Sequence, residues 1–165
     1  MTELLGKLGV PVRRARMMPA ESDWYKRAVF YEVLVQAYSF SSKPITEALV
    51  AAKTRGVHVT VLLDKSNESE AYSDLPLFLE HGLAPLIDAH HAIAHNKVMV
   101  IDRATVVTGS FNFTHQAEVE NAENLLILKG HADLSTLYRQ NFLLHKQHSQ
   151  VARKPAAHSP QQKAA

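Results

Sequence analysis

Residues 33–63 constrain the fold of this chain more than any other stretch. Residues 33–40, VLVQAYSF, are an apolar and aromatic run of strand length and read as a buried strand. Residues 57–63, VHVTVLL, read as a second strand, with Val57, Val59 and Val61 alternating against His58 and Thr60. A helix lies between them. Ser42 is placed to cap it, Pro44 sits in its first turn and Gly56 ends it. Ile45, Leu49 and Ala52 recur at helical spacing and form its buried stripe. Two strands joined through a helix pair in parallel with a right-handed crossover.

Further along, a helix is predicted over 75–80, stopping at Gly82, followed by a short strand near 84–87. Residues 97–101 and 104–108 read as a hairpin turning at Asp102-Arg103. NLLILK, 124–129, is another apolar strand, and 132–145 is a final helix carrying Leu134, Leu137, Tyr138 and Phe142. The first 20 residues keep no sustained period and read as a short strand at 10–12 or a loose arm; Ser22-Asp23 is then placed to cap a short helix through about Phe30. Residues 149–165, rich in Lys, Gln, Ala, Ser and Pro, read as a disordered tail. The expected organisation is a divergent segment 1–32, a domain 33–148 and the tail 149–165.

A length of 165 residues predicts one domain, large enough to bury a core without staples. The chain has no cysteine, which excludes disulfides, thiolate metal sites and a cysteine nucleophile. The formal charge of +2 is too mild to announce a nucleic-acid partner by composition. The unusual count is the 10 histidines. No apolar run reaches the roughly 18 residues of a membrane helix. The N-terminus makes a poor signal peptide, because Lys7 and Pro11 break its apolar stretch and Arg13, Arg14 and Arg16 follow it. No membrane anchor is expected, and the default compartment is the cytoplasm.

Chemistry concentrates in His95-Asn96-Lys97-Val98-Met99-Val100-Ile101-Asp102, a His-x-Lys-x4-Asp pattern. His95 and Lys97 stand two apart at a strand entrance, so both side chains leave one face. That pairs a nucleophile or general acid with a fixed cation. Thr108-Gly109-Ser110-Phe111-Asn112 sets Ser110 and Asn112 two apart, with Gly109 permitting close backbone approach. Glu123 is placed to accept a hydrogen bond from an imidazole. Together these groups suit attack on a phosphate diester: the imidazole attacks phosphorus, and the cation and amide hold the equatorial oxygens.

His95-x-Lys97-x4-Asp102 followed by Gly109-Ser110-x-Asn112 resembles the signature of the phospholipase D superfamily. AYSF (37–40), ALVAAKTRGV (48–57), HHAIAHNK (90–97), TGSFNFT (108–114) and NAEN (121–124) resemble its small bacterial Nuc-type endonucleases. The likeness spans roughly residues 33–145, whereas residues 1–32 depart from the family pattern. It implies an α/β fold with a mixed, mostly parallel sheet flanked by helices on both faces. It also implies a homodimer, because a full site needs two such motifs and this chain has one. On that reading His95 of one subunit forms a phosphohistidine, and the same residue of the other protonates the leaving oxygen and then activates water. Lys97, Ser110 and Asn112 hold the phosphoryl oxygens and Glu123 orients the imidazole. Asp102, at the turn, is expected to act structurally or at the interface. His90 and His91 are expected near the phosphate path.

Blander readings stand beside these. His90, His91 and His95, with Asp88 nearby, form a possible metal cluster, but Lys97 would sit beside the cation, and no metal or cofactor is expected. Ser110 and Asn112 alone are ordinary turn residues. Tyr38, Phe40, Phe111 and Phe113 read as core. The expected function is a metal-independent phosphodiesterase, a non-specific endonuclease on DNA or RNA. The alternatives are a phospholipase D-type lipid hydrolase and a catalytically silent nucleic-acid-binding subunit.

Overall fold

The computed structural model describes residues 32–153. The chain runs through β1 (Glu32–Ala37), β2 (Phe40–Ser41), α1 (Lys43–Thr54), β3 (His58–Asp64), a 3-10 turn (Lys65–Glu68), α2 (Leu75–Glu80) and β4 (Leu86–Asp88). It continues through β5 (Lys97–Ile101), β6 (Thr105–Gly109), β7 (Phe113–Thr114), α3 (His115–Val119), β8 (Leu125–Lys129), α4 (Ala132–His148) and β9 (Gln150–Val151). Seven strands make one sheet in the order β8-β6-β5-β1-β3-β4-β9, and β2 pairs with β7 separately.

The α/β class, the mixed sheet and the strand–helix–strand unit are as expected, with β1 and β3 parallel from Glu32↔His58 to Ala37↔Leu63. The balance of directions differs from expectation. Within the large sheet only β1–β3 and β3–β4 are parallel, and β1–β5, β5–β6, β6–β8 and β4–β9 are antiparallel. A parallel return needs a crossover, and only α1 and α2 provide one between neighbouring strands. The β5–β6 connection is tight: the Ala104 N–H donates to the Ile101 carbonyl at 3.1 Å, with Asp102 and Arg103 at φ 51° and 55°. Two left-handed residues in succession twist the turn to match the strands it joins.

Helices cover both faces. On one, α1 and α2 bury Ile45, Leu49, Leu75 and Phe78 against Val35, Val61, Leu63, Met99 and Val107. On the other, α4 lays Phe142 over Leu34, Leu62, Val98, Val100 and Val106. Ser42 holds the cap position of α1, and its carbonyl accepts from Ile45 and Thr46, but its hydroxyl donates to Glu118 instead of the helix. In α4 the expected apolar set is partly turned outward. Ser135 and Phe142 are buried, Tyr138 packs at the margin, and Leu137 is 62% exposed. Helical spacing puts 135, 138 and 142 on the sheet side and 137 on the far side.

The expected end of the domain at residue 148 falls short. Gln150–Val151 pairs with β4, the Ala152 N–H donates to the Pro85 carbonyl at 2.8 Å, and Ala152 is buried. A two-residue edge strand held by backbone bonds carries no periodicity, so composition misassigned it to the tail. The readings at 10–12 and 22–30, the basic cluster, and the tail beyond residue 153 lie outside the described residues. Among the described residues no helix is long and apolar enough to cross a membrane.

Candidate active site

Strand directions decide which residues meet. β1, β3 and β4 are parallel, so Tyr38, Asp64 and Asp88 close their strands at one rim of the sheet. β5 runs the other way and starts there with Lys97; β6 ends there at Gly109, and β8 starts there at Leu125. Every residue of the expected site except Asp102 is therefore on this rim, the end of an open α/β sheet where ligands usually bind.

His95 is exposed just before β5, with its ring 4.6 Å from the ring of Tyr38. Lys97 is buried, donates from Nζ to the His95 carbonyl at 3.3 Å, and sits 5.1 Å above the same tyrosine ring. Tyr38 thus braces both groups, a contact that favours the ammonium. It was expected in the core; Phe40 and Phe113 are core, but Tyr38 is part of the site. The Asn67 amide donates to the Tyr38 carbonyl at 2.7 Å, and the Tyr38 N–H to the Asn96 carbonyl at 2.8 Å. Asp64 accepts the Ala94 N–H at 2.7 Å, which pins the loop before His95. Burial pulls the Lys97 ammonium below the ordinary lysine range, and the negative charge of Glu123 partly opposes that shift.

Ser110, Glu123 and Asn124 form a latch where β6 leaves the sheet and β8 enters it. The Ser110 hydroxyl donates to Glu123 Oε2 at 2.5 Å and accepts the Asn124 N–H at 3.0 Å. The Ser110 N–H donates to the Asn124 carbonyl at 3.0 Å, and the Asn121 amide to Glu123 Oε1 at 2.9 Å. The Ser110 hydroxyl, then the Asn121 amide, hold the Glu123 carboxyl below its usual range. Gly109 is required here: it has φ +150°, and a Cβ on it would lie 2.0 Å from the Asn124 carbonyl oxygen. Asn112 follows on the same rim with a buried Oδ1 that has no hydrogen-bond partner among the described residues. A half-turn of that amide presents its NH₂ donors at the same place.

Three expected placements change. Glu123 was expected on the imidazole; its carboxylate engages Ser110 and Asn121 instead. Asp102 lies at the opposite end of β5, about 16 Å of strand away from the His95 rim. There its Oδ1 accepts the Glu32 N–H at 2.9 Å and its own N–H donates to the Glu32 carbonyl at 2.9 Å, so it clamps the hairpin to β1. Burial raises its pKa. His90 and His91, expected near the phosphate path, gather with His145 and His148 around Asp88. The sequence signal for that second group is His145-x2-His148, three residues apart on one helix face and outside the strand-borne motif.

The PLD-like domain of the cardiolipin synthase family matches residues 26–145. A phospholipase D of Rickettsia bellii is 43% identical over 114 residues, covering 69% of this chain and 56% of that protein. A mitochondrial cardiolipin hydrolase of Xenopus tropicalis is 31% identical over 105 residues, covering 64% of this chain and 50% of that protein. The chain thus spans about half the length of these curated relatives. The crystal structure of Nuc, a phospholipase D family member from Salmonella typhimurium, superposes with a TM-score of 0.71 at 31% identity. That likeness covers 77% of this chain and 85% of Nuc. A match across most of the described residues, with an agreeing sheet and helices, makes this chain a member of the phospholipase D superfamily.

Proposed function

We propose that the chain is a phosphodiesterase whose chemistry needs no metal ion, a non-specific endonuclease acting on DNA or RNA at a homodimer interface. The observation that carries this reading is the joint support of His95 and Lys97 by Tyr38, on the rim that also holds Ser110, Asn112 and Glu123. The His95 imidazole attacks phosphorus; a P–N bond forms as the P–O bond to the leaving group breaks. A histidine from a second copy donates the proton to that oxygen, then takes one from the water that cleaves the P–N bond. Lys97 and the Asn112 amide bind the equatorial oxygens and supply the positive field that a metal would otherwise provide. Glu123 positions Ser110, and through it the backbone of the latch.

The second copy is called for because each chain carries one His95 and the mechanism uses two. The surface around it is suited to covering: Ile93 and Val119 are 58% and 59% exposed on segments that flank His95 and Glu123. An isologous contact about this rim would bring two motifs together. Backbone attack needs no base reading, so little sequence preference is expected.

The names of the relatives favour a second reading, hydrolysis of a phosphatidyl lipid. One assay tests both: purified protein with plasmid DNA, RNA or phosphatidyl-lipid vesicles, each in excess EDTA. Cleavage of nucleic acid in EDTA supports the proposal. Cleavage of lipid alone replaces it with the second reading. Binding of nucleic acid without cleavage of any substrate identifies a silent binding subunit.

A further inference from the structure

We propose that Asp88, His91, His145 and His148 bind one transition-metal ion, best matched by Zn²⁺, as a structural clamp on the same rim but three strands away from the phosphodiesterase residues. Three imidazole nitrogens converge on a single carboxylate oxygen. His145 Nδ1 lies 2.7 Å from Asp88 Oδ2, His91 Nδ1 3.0 Å and His148 Nε2 3.2 Å. One ligand atom from each of the four residues can be chosen so that all lie within 4.8 Å of one another. A tetrahedral Zn²⁺ with bonds of about 2.0–2.1 Å needs its ligand atoms about 3.3 Å apart, so small side-chain rotations suffice to admit the ion.

The donor set fits the same ion. Three imidazoles are borderline ligands suited to Zn²⁺, which also accepts one carboxylate oxygen, while Mg²⁺ and Ca²⁺ prefer all-oxygen cages. Asp88 favours one-oxygen ligation: its Oδ1 accepts the His90 N–H at 3.0 Å and shares His91 Nδ1 at 3.2 Å, while Oδ2 meets all three imidazoles. Its side chain is fully buried, with that of His145 13% exposed and that of His148 29%. An oxygen with two lone pairs in its plane is crowded by three imidazole hydrogen bonds; a cation among the four ligand atoms relieves that crowding.

The placement explains what such an ion would do. β4 is three strands from β5 in the sheet, about 14 Å across. The ion would join the last turn of α4 and the end of β4 to His91, at the head of the loop leading to His95. The Lys65 ammonium already donates to the His91 carbonyl at 3.2 Å on the same loop.

The test uses untagged full-length protein, stripped with chelator, reloaded with Zn²⁺ and desalted. About one Zn²⁺ per chain should remain, and the melting temperature should rise by roughly 5 °C or more, with no rise from Mg²⁺. Co²⁺ in its place should give the visible absorption of a tetrahedral site. His145→Gln and His148→Gln should lose both the bound metal and the thermal shift, whereas His81→Ala should keep them. If a helix variant fails to fold by circular dichroism, His91→Gln on the half-exposed loop supplies the same comparison. Wild type that retains no Zn²⁺ and melts unchanged overturns the proposal and leaves a carboxylate–imidazole hydrogen-bond cluster. Undiminished Zn²⁺ retention in the His91 and His148 variants overturns it equally. Neither readout depends on phosphodiester cleavage.

Discussion

Gly109→Ala tests whether the β6–β8 crossing sets the geometry of the reactive rim. Two costs add. Alanine at φ +150° leaves the backbone region open to side-chain-bearing residues, a strain of about 1–3 kcal/mol. Its Cβ would sit 2.0 Å from the Asn124 carbonyl oxygen and 2.9 Å from the carbonyl carbon. Backbone cannot rotate away like a side-chain tip, so the strands must part by roughly 1 Å, with an overpacking cost of about 1–3 kcal/mol. The total of about 2–6 kcal/mol lowers the melting temperature by roughly 5–20 °C for a domain of this size. The same displacement pulls Asn124 from its two bonds with Ser110 and tilts Glu123. A misplacement near 1 Å can cost about 10²-fold in rate, so turnover should fall at least tenfold at a temperature where the variant is still folded. Thermal melts and phosphodiester turnover measure the two effects. Gly56→Ala is the control: at φ +90° it carries the backbone strain of about 1–3 kcal/mol, but a Cβ there meets nothing within 4 Å, so stability falls by that strain alone and turnover holds. If Gly109→Ala melts and turns over like wild type, or loses no more than Gly56→Ala, the account of this crossing is wrong.

His95→Ala should reduce cleavage to background, because it removes nucleophile and general acid together; acid–base help alone is worth about 10²–10⁴-fold. His90→Ala should cost tenfold or less, and near-wild-type turnover in His95→Ala would overturn the assignment. Lys97→Met should abolish turnover while leaving the melting temperature equal or higher, since burial disfavours the ammonium it removes; a large loss of stability would contradict this. Titrating His95→Ala protein into wild type should lower activity faster than linearly if the site is shared between two chains; a linear decline with a monomeric sedimentation profile refutes sharing. The Arg139 guanidinium grips Glu32 with bonds of 2.8 and 3.0 Å and holds the Glu32 carboxyl below its ordinary 4.5. A depressed carboxylate stabilises above its unfolded pKa and loses that contribution as pH falls through the folded value. Arg139→Gln should therefore cost about 1 kcal/mol at pH 7 and progressively less below pH 4 or so, as read from urea unfolding at several pH values.

Local pattern carried much of this molecule. Alternation in VHVTVLL, the helical stripe of Ile45, Leu49 and Ala52, and the turn at Asp102-Arg103 are short-range features, and each sits where its pattern placed it. The two-residue spacing of His95 and Lys97, and the need for glycine at 109, were legible for the same reason: the chain itself dictates which side chains emerge together.

Pairings at long range were not legible. Periodicity says which face of an element is apolar, not which element will cover it. It could not show that antiparallel strands outnumber parallel ones, nor that Gln150–Val151 would cap the β4 edge. It read Tyr38 as core, because only the pairing of Ala37 with Lys97 brings that ring beneath the reactive groups. It assigned Glu123 to an imidazole, whereas the crossing of β6 and β8 hands it Ser110. It left Asp88 and His145 unrelated, 57 residues apart, until α4 packed its last turn over the end of β4. Sequence determined the chemistry available to each segment; tertiary structure decided which groups share a rim, because register and helix docking are settled by the core as a whole.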